Sequence, residues 1–554
     1  MPVSSPLQQF LQWEKEIPDE IFLRQPFNGE WKTWTWAAAG QECRKMAQAL
    51  QSMDIFPGDH VAILSKNCAH WMMADVAIMM AGCVSVPIYP TLSATSIKPI
   101  LQHSDAKAIF IGKLDDYEHQ KEGIPENIIS ICVEAYAKNT AITWENSINK
   151  QMPVKEIYRW KQEDILTIIY TSGTTGNPKG VMHTVSAVDA VLQVVTDQLK
   201  LTTRVKLFSY LPLSHIAERL AVEMNALYNG CTVSFAESLE SFAKNLADTQ
   251  PHCFVGVPRI WAKFREGVLK KMPQKKLDLF LQIPLLNTVV KKSIRKKLGL
   301  SRASTILCGS APIGIELLVW FKKLGVNILV GYGMTEDCVY NHFETHEFFR
   351  LGSVGKALPG MQTKITAEGE ICVKSSGNMK GYYKEPTMTG EAFDEEGYLK
   401  TGDIGEYDKD GFLFITGRIK DQFKTDKGKY ISPGPIEVAL MQNRDIDQVC
   451  VVGTGIPQPI ALVNLSETGK LKTSTEIIDS LSASLASLNP LLEKFERLEK
   501  VVVIKEHWTV ENGLITPSLK IKRSLVEKKL HSFYSEWFNH PGKVLFDQDI
   551  LRGI

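Results

Sequence analysis

The sequence predicts an α/β protein with largely parallel sheets, then a small antiparallel β unit, then a separate C-terminal domain. Three features carry this reading. Short β-branched runs alternate with helical periodicity through the first half of the chain, glycines recur between 352 and 411, and a charged stretch broken by Gly and Pro follows Gly417. Candidate strands fall at 60–64, 107–111, 128–132, 165–170, 205–210, 231–235, 254–257, 305–308 and 327–330, with helical patterns such as 36–53 and 185–199 between them. From 351 to about 416 the closely spaced glycines separate short strands, such as 370–374 and 411–415, and suggest a barrel-like unit. The boundary is placed after Gly417, giving domains 1–417 and 418–554.

Composition narrows the function. With 63 Lys+Arg against 62 Asp+Glu, the 554-residue chain lacks the basic excess of a nucleic-acid binder. Hydrophobic residues at 44% and charged residues at 23% are those of a globular protein able to bury large cores. The ten cysteines show no C-x-x-C spacing and no zinc-type pairing with His, so free thiols in a reducing cytoplasm are expected. The N-terminus has neither the basic start nor the apolar run of a signal peptide. The most apolar stretch, 76–90, is too short to span a bilayer and contains Gly82 and Pro87.

The strongest chemical signal is Tyr170-Thr-Ser-Gly-Thr-Thr-Gly-Asn-Pro-Lys-Gly180, directly after an apolar strand. Gly173, Gly176 and Gly180 let the backbone turn and present N–H groups to an anion. Thr171, Ser172, Thr174 and Thr175 add hydroxyls, and Lys179 adds a point charge. Such a loop suits a nucleotide's phosphates. It is not a Walker A loop, because the second glycine of that pattern would fall on Pro178 or Val181. A bare Gly/Thr-rich surface turn is the alternative, and the density of donors argues against it.

This loop resembles that of the adenylate-forming superfamily, which includes acyl-CoA synthetases, and further motifs follow in the family's order. Leu211-Pro-Leu-Ser-His-Ile-Ala-Glu-Arg219 is similar to a motif of long-chain acyl-CoA synthetases. Leu307-Cys-Gly-Ser-Ala-Pro312 and Val330-Gly-Tyr-Gly-Met-Thr-Glu336 each end a strand, where parallel sheets bind ligands. Thr401-Gly-Asp-Ile-Gly405, Gly417-Arg-Ile-Lys-Asp421 and Leu514-Ile-Thr-Pro-Ser-Leu-Lys-Ile-Lys-Arg523 complete the set. Val330 departs from the family, many of whose members carry Gln or Glu there.

The resemblance implies two αβα subdomains and a small β-barrel, followed by a mobile α+β domain. It implies ATP, Mg²⁺ and CoA, with a long-chain fatty acid activated as an acyl-adenylate and then transferred to CoA. Lys520 would be the catalytic lysine, His215 would lie beside the acyl carboxylate, and Glu336 with Thr171 would hold Mg²⁺. Ser310, Ala311 and the Gly331-Tyr332-Gly333 turn would form the adenine pocket, with Tyr332 on the base and Thr335 on the α-phosphate. Asp403 and Arg418 would hold the ribose, and Lys420 would be the interdomain hinge. Lys424, Lys427 and Gly428 would face the CoA pyrophosphate, although Asp426-Lys-Gly stands where many relatives have Gly-Gly.

Taken without the resemblance, each motif has a plainer reading: a core histidine, a helix-start carboxylate, a surface Asp with a solvated Arg, a Lys-rich helix start. Two other functions stay open, a ligase that loads a carrier protein and a non-catalytic nucleotide-binding homologue. Residues 270–302 carry ten Lys/Arg and one acidic residue around an apolar centre. That suits a peripheral contact with an anionic membrane surface, or equally a solvated helical hairpin with an ordinary core face.

Overall fold

The computed structural model describes residues 5–136, 141–172, 178–510, 512–516 and 520–548. Two large sheets dominate. The first has eight strands in the order Gly381–Tyr382, Pro178–Thr184, Ile165–Ser172, Val84–Ile88, His60–Leu64, Ala106–Ile111, Ile129–Cys132 and Ile142–Thr143. From Ile165–Ser172 onward its pairs are parallel, while Pro178–Thr184 turns back antiparallel. The second has nine strands, and its parallel centre runs Leu329–Tyr332, Thr305–Cys308, Cys253–Gly256, Lys206–Ser209, Thr232–Phe235 and Ile21–Phe27. These parallel strands are short apolar runs because helices cover both of their faces.

One core serves both sheets. Val61 and Ile63 of the first and Leu207 and Val233 of the second belong to it, together with helices Trp36–Ser52 and Ala69–Ala81. Every residue of Ala69–Ala81 is buried, so this helix is apolar nearly all round. The run 76–90 is therefore the end of that helix followed by the buried strand Val84–Ile88. Among the described residues no helix is long and apolar enough to cross a membrane.

The glycine-rich unit differs from its expected form. Strands Gln362–Ile365, Glu370–Lys374, Leu399–Tyr407 and Leu413–Arg418 make an open antiparallel meander, not a closed barrel. Its apolar face, with Ile371, Val373, Leu399 and Leu413, is already covered by Val181, Met379 and Tyr382, so closure is not needed to bury it. The C-terminal part builds a mixed sheet from Ile446–Val452, Ile460–Leu465, Lys500–Val503 and Val544–Phe546, with an apolar core on each face.

Candidate active site

The phosphate-type loop joins two strands of one hairpin, in which Thr171 pairs with Lys179 and Ser172 with Pro178. Gly173, Thr174, Thr175 and Gly176 lie outside the described residues. Unlike a Walker A loop, it leads back into the sheet and not into a helix. The neighbouring strand carries Tyr382 opposite Val181. There the Lys179 ammonium stands 5.0 Å from the Tyr382 ring centre. The Tyr382 hydroxyl donates to Glu336 Oε1 at 2.9 Å, tying hairpin to acidic turn.

That turn, Thr335–Asp337, is tightly specified. Asp337 accepts from the Met334 N–H at 2.8 Å and from Asn341 Nδ2 at 2.6 Å. Burial pushes its carboxyl up to about 7. Cys338 and Val339 follow at φ 54° and 55°, a costly backbone for a β-branched residue. A Cβ on Gly333 would lie 2.7 Å from Val339 Cα, so the turn closes only around glycine. Ser310 also holds a positive φ, 67°, at the end of the adjacent strand Thr305–Cys308; it and Ala311 are exposed. Gly309 and Gly331 approach so closely that a Cβ on Gly309 would sit 3.1 Å from the Gly331 carbonyl oxygen.

Asp403 and Arg418 are cross-strand partners in the meander, which places both side chains on one face. Arg418 Nε lies 2.7 Å from Asp403 Oδ1, and the Tyr332 hydroxyl donates to Oδ2 at 2.7 Å. Burial, then the Asp403 charge, holds the Tyr332 hydroxyl well above its ordinary value, so it remains a donor.

Lys520 immediately precedes Ile521, which forms a short antiparallel bridge with Ile515, and its N–H donates to Thr516 Oγ1 at 3.0 Å. The side chain is exposed. Desolvation, then the Arg418 cation, lowers its ammonium below the usual lysine value, while Asp403, Glu336 and Asp421 pull the other way. Burial, then Lys520, pushes the His215 imidazole down to about 4. His215 is therefore neutral at pH 7, and its Nδ1 accepts from the Ala217 N–H at 3.2 Å, leaving the proton on Nε2.

The structure thus links Lys179, Tyr382 and Glu336 by direct contacts, links Tyr332, Asp403 and Arg418 likewise, and brings Lys520 within electrostatic reach of Glu336, Asp403, Arg418 and His215. Lys420 stands in the exposed turn Ile419–Asp421. Lys424, Lys427 and Gly428 lie on an exposed ribbon formed by Phe423–Lys424 and Tyr430–Ile431. Among the described residues no three His, Cys, Asp or Glu side chains gather as a metal site. Glu336 alone would suit Mg²⁺, which is commonly held by one carboxylate together with substrate phosphates.

Sequence reasoning missed a buried ionic cluster beside the strand Ile165–Ser172. Arg219 is 1% exposed and donates to both Asp75 oxygens, at 2.8 and 2.7 Å, and to Thr167 Oγ1 at 2.8 Å on the strand that carries Thr171. Burial, then Asp75, pushes the neighbouring Glu223 well above the carboxylate range. Glu218 Oε1 accepts from the Tyr210 N–H and from Ser209, and burial pushes this carboxyl up to about 8. Glu218 and Arg219 close the same motif as His215, so that motif was itself the available signal.

A model of the AMP-binding enzyme matches residues 10–383, and one of the AMP-binding enzyme C-terminal domain matches 420–536. The chain belongs to the AMP-binding enzyme family. Its relatives in that family include a long-chain-fatty-acid–CoA ligase of Mycobacterium bovis, 28% identical over 95% of this chain and 96% of that one. A long-chain-fatty-acid–CoA ligase of Xenopus laevis is also 28% identical, over 96% and 83%. The fold is shared with the adenylation domain of a Mycobacterium chelonae carboxylate reductase, at TM-score 0.80 and 21% identity over 98% of this chain and 92% of that one. It is shared too with o-succinylbenzoate CoA synthetase of Bacillus subtilis, at 0.74 and 22% over 94% and 97%.

Proposed function

We propose that this protein is an AMP-forming long-chain fatty acid–CoA ligase. The observation that carries the reading is that Lys520, from the C-terminal part, shares an electrostatic neighbourhood with Glu336, Asp403, Arg418 and His215. A free carboxylate is a poor acyl donor, and its attack on the α-phosphate of ATP brings two anions together. Lys520 lies between substrate carboxylate and phosphate and neutralises both, lowering the barrier by electrostatic stabilisation and orientation. Lys179, Thr171 and the loop 171–180 hold the departing pyrophosphate. Glu336 with Thr171 would hold Mg²⁺, which when bound would supply further positive charge to the phosphates.

The remaining roles follow from chemistry. Asp403 accepts from ribose hydroxyls while Arg418 fixes its orientation, and the turn 331–333 with Ser310 and Ala311 borders the adenine. Thr335 donates to the α-phosphate. A neutral His215 with its proton on Nε2 can donate to the acyl carboxylate without adding charge. For the second step, attack of the CoA thiol on the mixed anhydride, Lys520 must leave. The chain divides into 1–417 and 418–554 and turns at Lys420, bringing Lys424, Lys427 and Gly428 towards the CoA pyrophosphate. The relatives named as long-chain ligases support the acyl class, and the ten free, buried cysteines suit a cytoplasmic setting.

Two measurements test this. AMP release across a panel of free fatty acids is expected to require CoA and a long chain. Lys520→Ala is expected to abolish acid-dependent ATP–pyrophosphate exchange while sparing thioester formation from supplied acyl-adenylate. Equal loss of both steps would mean that Lys520 does not act on adenylation in particular, and acyl transfer to a holo-carrier protein but not to CoA would change the acceptor.

A further inference from the structure

Residues 274–297 form an antiparallel pair of helices, Gln274–Gln282 and Leu286–Lys297, on the outside of the nine-stranded sheet region. The inner faces are ordinary. Leu277, Val290 and Ile294 are buried against Leu324, and Trp320 Nε1 donates to Gln274 Oε1 at 3.0 Å, so the pair is anchored on helix Ile315–Lys323 and the turn after it. The outer side is not. Leu279, Ile283, Leu285 and Val289 are 55, 41, 86 and 63% exposed. Four of the large apolar side chains exposed among the described residues thus fall within one short stretch, whereas the rest are scattered along the chain.

The tip carries a second signal. Leu285 holds φ 67° and ψ −50°, and the Leu286 N–H donates to the Pro284 carbonyl at 2.8 Å. This is a three-residue γ-turn of the rare, strained hand, which glycine would adopt far more readily. The sequence instead accepts strain to put a leucine at the point of the hairpin, into solvent. Strain of that kind is kept where the side chain has work to do.

Charge supplies the third. Lys275, Lys276, Lys291, Lys292, Lys296 and Lys297 form no salt bridge within 4.0 Å, among the described residues. The acidic residue of the segment, Asp278, accepts from Gln274 at 2.8 Å. A basic amphipathic surface of this kind suits either a lipid surface or an acidic, apolar protein groove, and the leucine held at an exposed, strained tip favours the lipid surface. Apolar side chains at a tip with lysines along its flanks match the layering of a lipid surface. The first group reaches the acyl boundary, and the second meets the phosphates of anionic headgroups.

We propose that the 274–297 hairpin docks the protein on the surface of a bilayer containing anionic lipid, with Leu279, Ile283, Leu285 and Val289 inserted. The inference rests on the hairpin and is independent of the ligase reading. The test is flotation of the full chain with phosphatidylcholine vesicles, with and without phosphatidylglycerol. The wild type is expected to float with the anionic vesicles and to be released by salt. Combined Leu279→Ser, Ile283→Ser and Leu285→Ser is expected to weaken that binding by about tenfold or more. Lys292→Glu with Lys296→Glu should weaken it by about tenfold as well. Adenylate binding, read in parallel, should be unchanged in both variants, which shows that they are folded. Failure of the wild type to float with anionic vesicles would overturn the proposal. So would full binding by the leucine variant, since the lysines would then act as a simple polycation.

Discussion

At the residue scale the most informative groups are those whose charge the fold suppresses. Glu218 is 1% exposed, its Oε2 has no partner among the described residues, and its carboxyl is held up to about 8. The folded protein therefore keeps at pH 7 a proton that the unfolded chain releases above its ordinary value of 4.5. The group's contribution to stability is complete below that ordinary value and declines as pH rises through about 8, with a slope of up to ~1.36 kcal/mol per pH unit. Glu218→Gln, which is neutral at all pH, removes that slope. Thermal midpoints from pH 6 to 8 should fall more steeply for the wild type, by the equivalent of roughly 2 kcal/mol. Asp337 and Glu344, each raised to about 7 by burial, titrate in both proteins, so the difference between the two profiles is the readout. Parallel profiles would mean that Glu218 is ionised in its site. Lys520, His215, Glu336, Asp403 and Arg418 were legible because each stands in a motif. The partnership of Arg219 with Asp75 was not, because its two members lie 144 positions apart in the sequence and meet only when the sheets stack.

At the element scale, local signals located strands well and closure poorly. The edge hairpin Ile21–Phe27 with Glu30–Thr35 was not predicted, although its turn, Asn28-Gly29 with φ 51° and 84°, is a strong two-residue hairpin signal. Arg24, Gln25, Pro26 and Lys32 blur the alternation that would have marked its strands. The barrel was expected from glycine spacing, which reports turns and not whether the last strand reaches the first. Where glycine is set by contact, it yields a sharper test. Gly333→Ala would drive a methyl group against Val339 Cα at 2.7 Å, and Val339 is already in a strained conformation with little freedom to yield. Overpacking of this kind costs about 1–3 kcal/mol. It falls on the turn that presents Thr335 and Glu336, so nucleotide binding should weaken by about tenfold or more while the thermal midpoint moves little. Calorimetric titration with ATP measures it. Unaltered affinity would show that the turn tolerates the change and does not shape the pocket.

At the scale of the whole molecule, Lys520 lies near Glu336, Asp403, Arg418 and His215 because the C-terminal part lies against the large sheets in one particular orientation, and little in the sequence specifies that orientation. One contact that holds it is visible. Arg259, on helix Pro258–Lys271, donates through Nη2 to both oxygens of Asp447 at 3.0 Å, on strand Ile446–Val452 of the C-terminal sheet. The two side chains are 41 and 23% exposed, so the pair contributes only about 0.2–1 kcal/mol and weakens with salt. A weak, solvated contact is what a docked state needs if the same lobe must swing away for the second reaction. Asp447→Ala should therefore slow adenylation by about two- to fivefold at low ionic strength and leave thioester formation from supplied acyl-adenylate unchanged or faster. The difference from the wild type should shrink as salt rises, because salt removes the same attraction from the parent protein. Single-turnover measurements of the two half-reactions across a salt series decide it. A loss shared equally by both steps, or one indifferent to salt, would mean that Asp447 acts on folding and not on the balance between the two orientations.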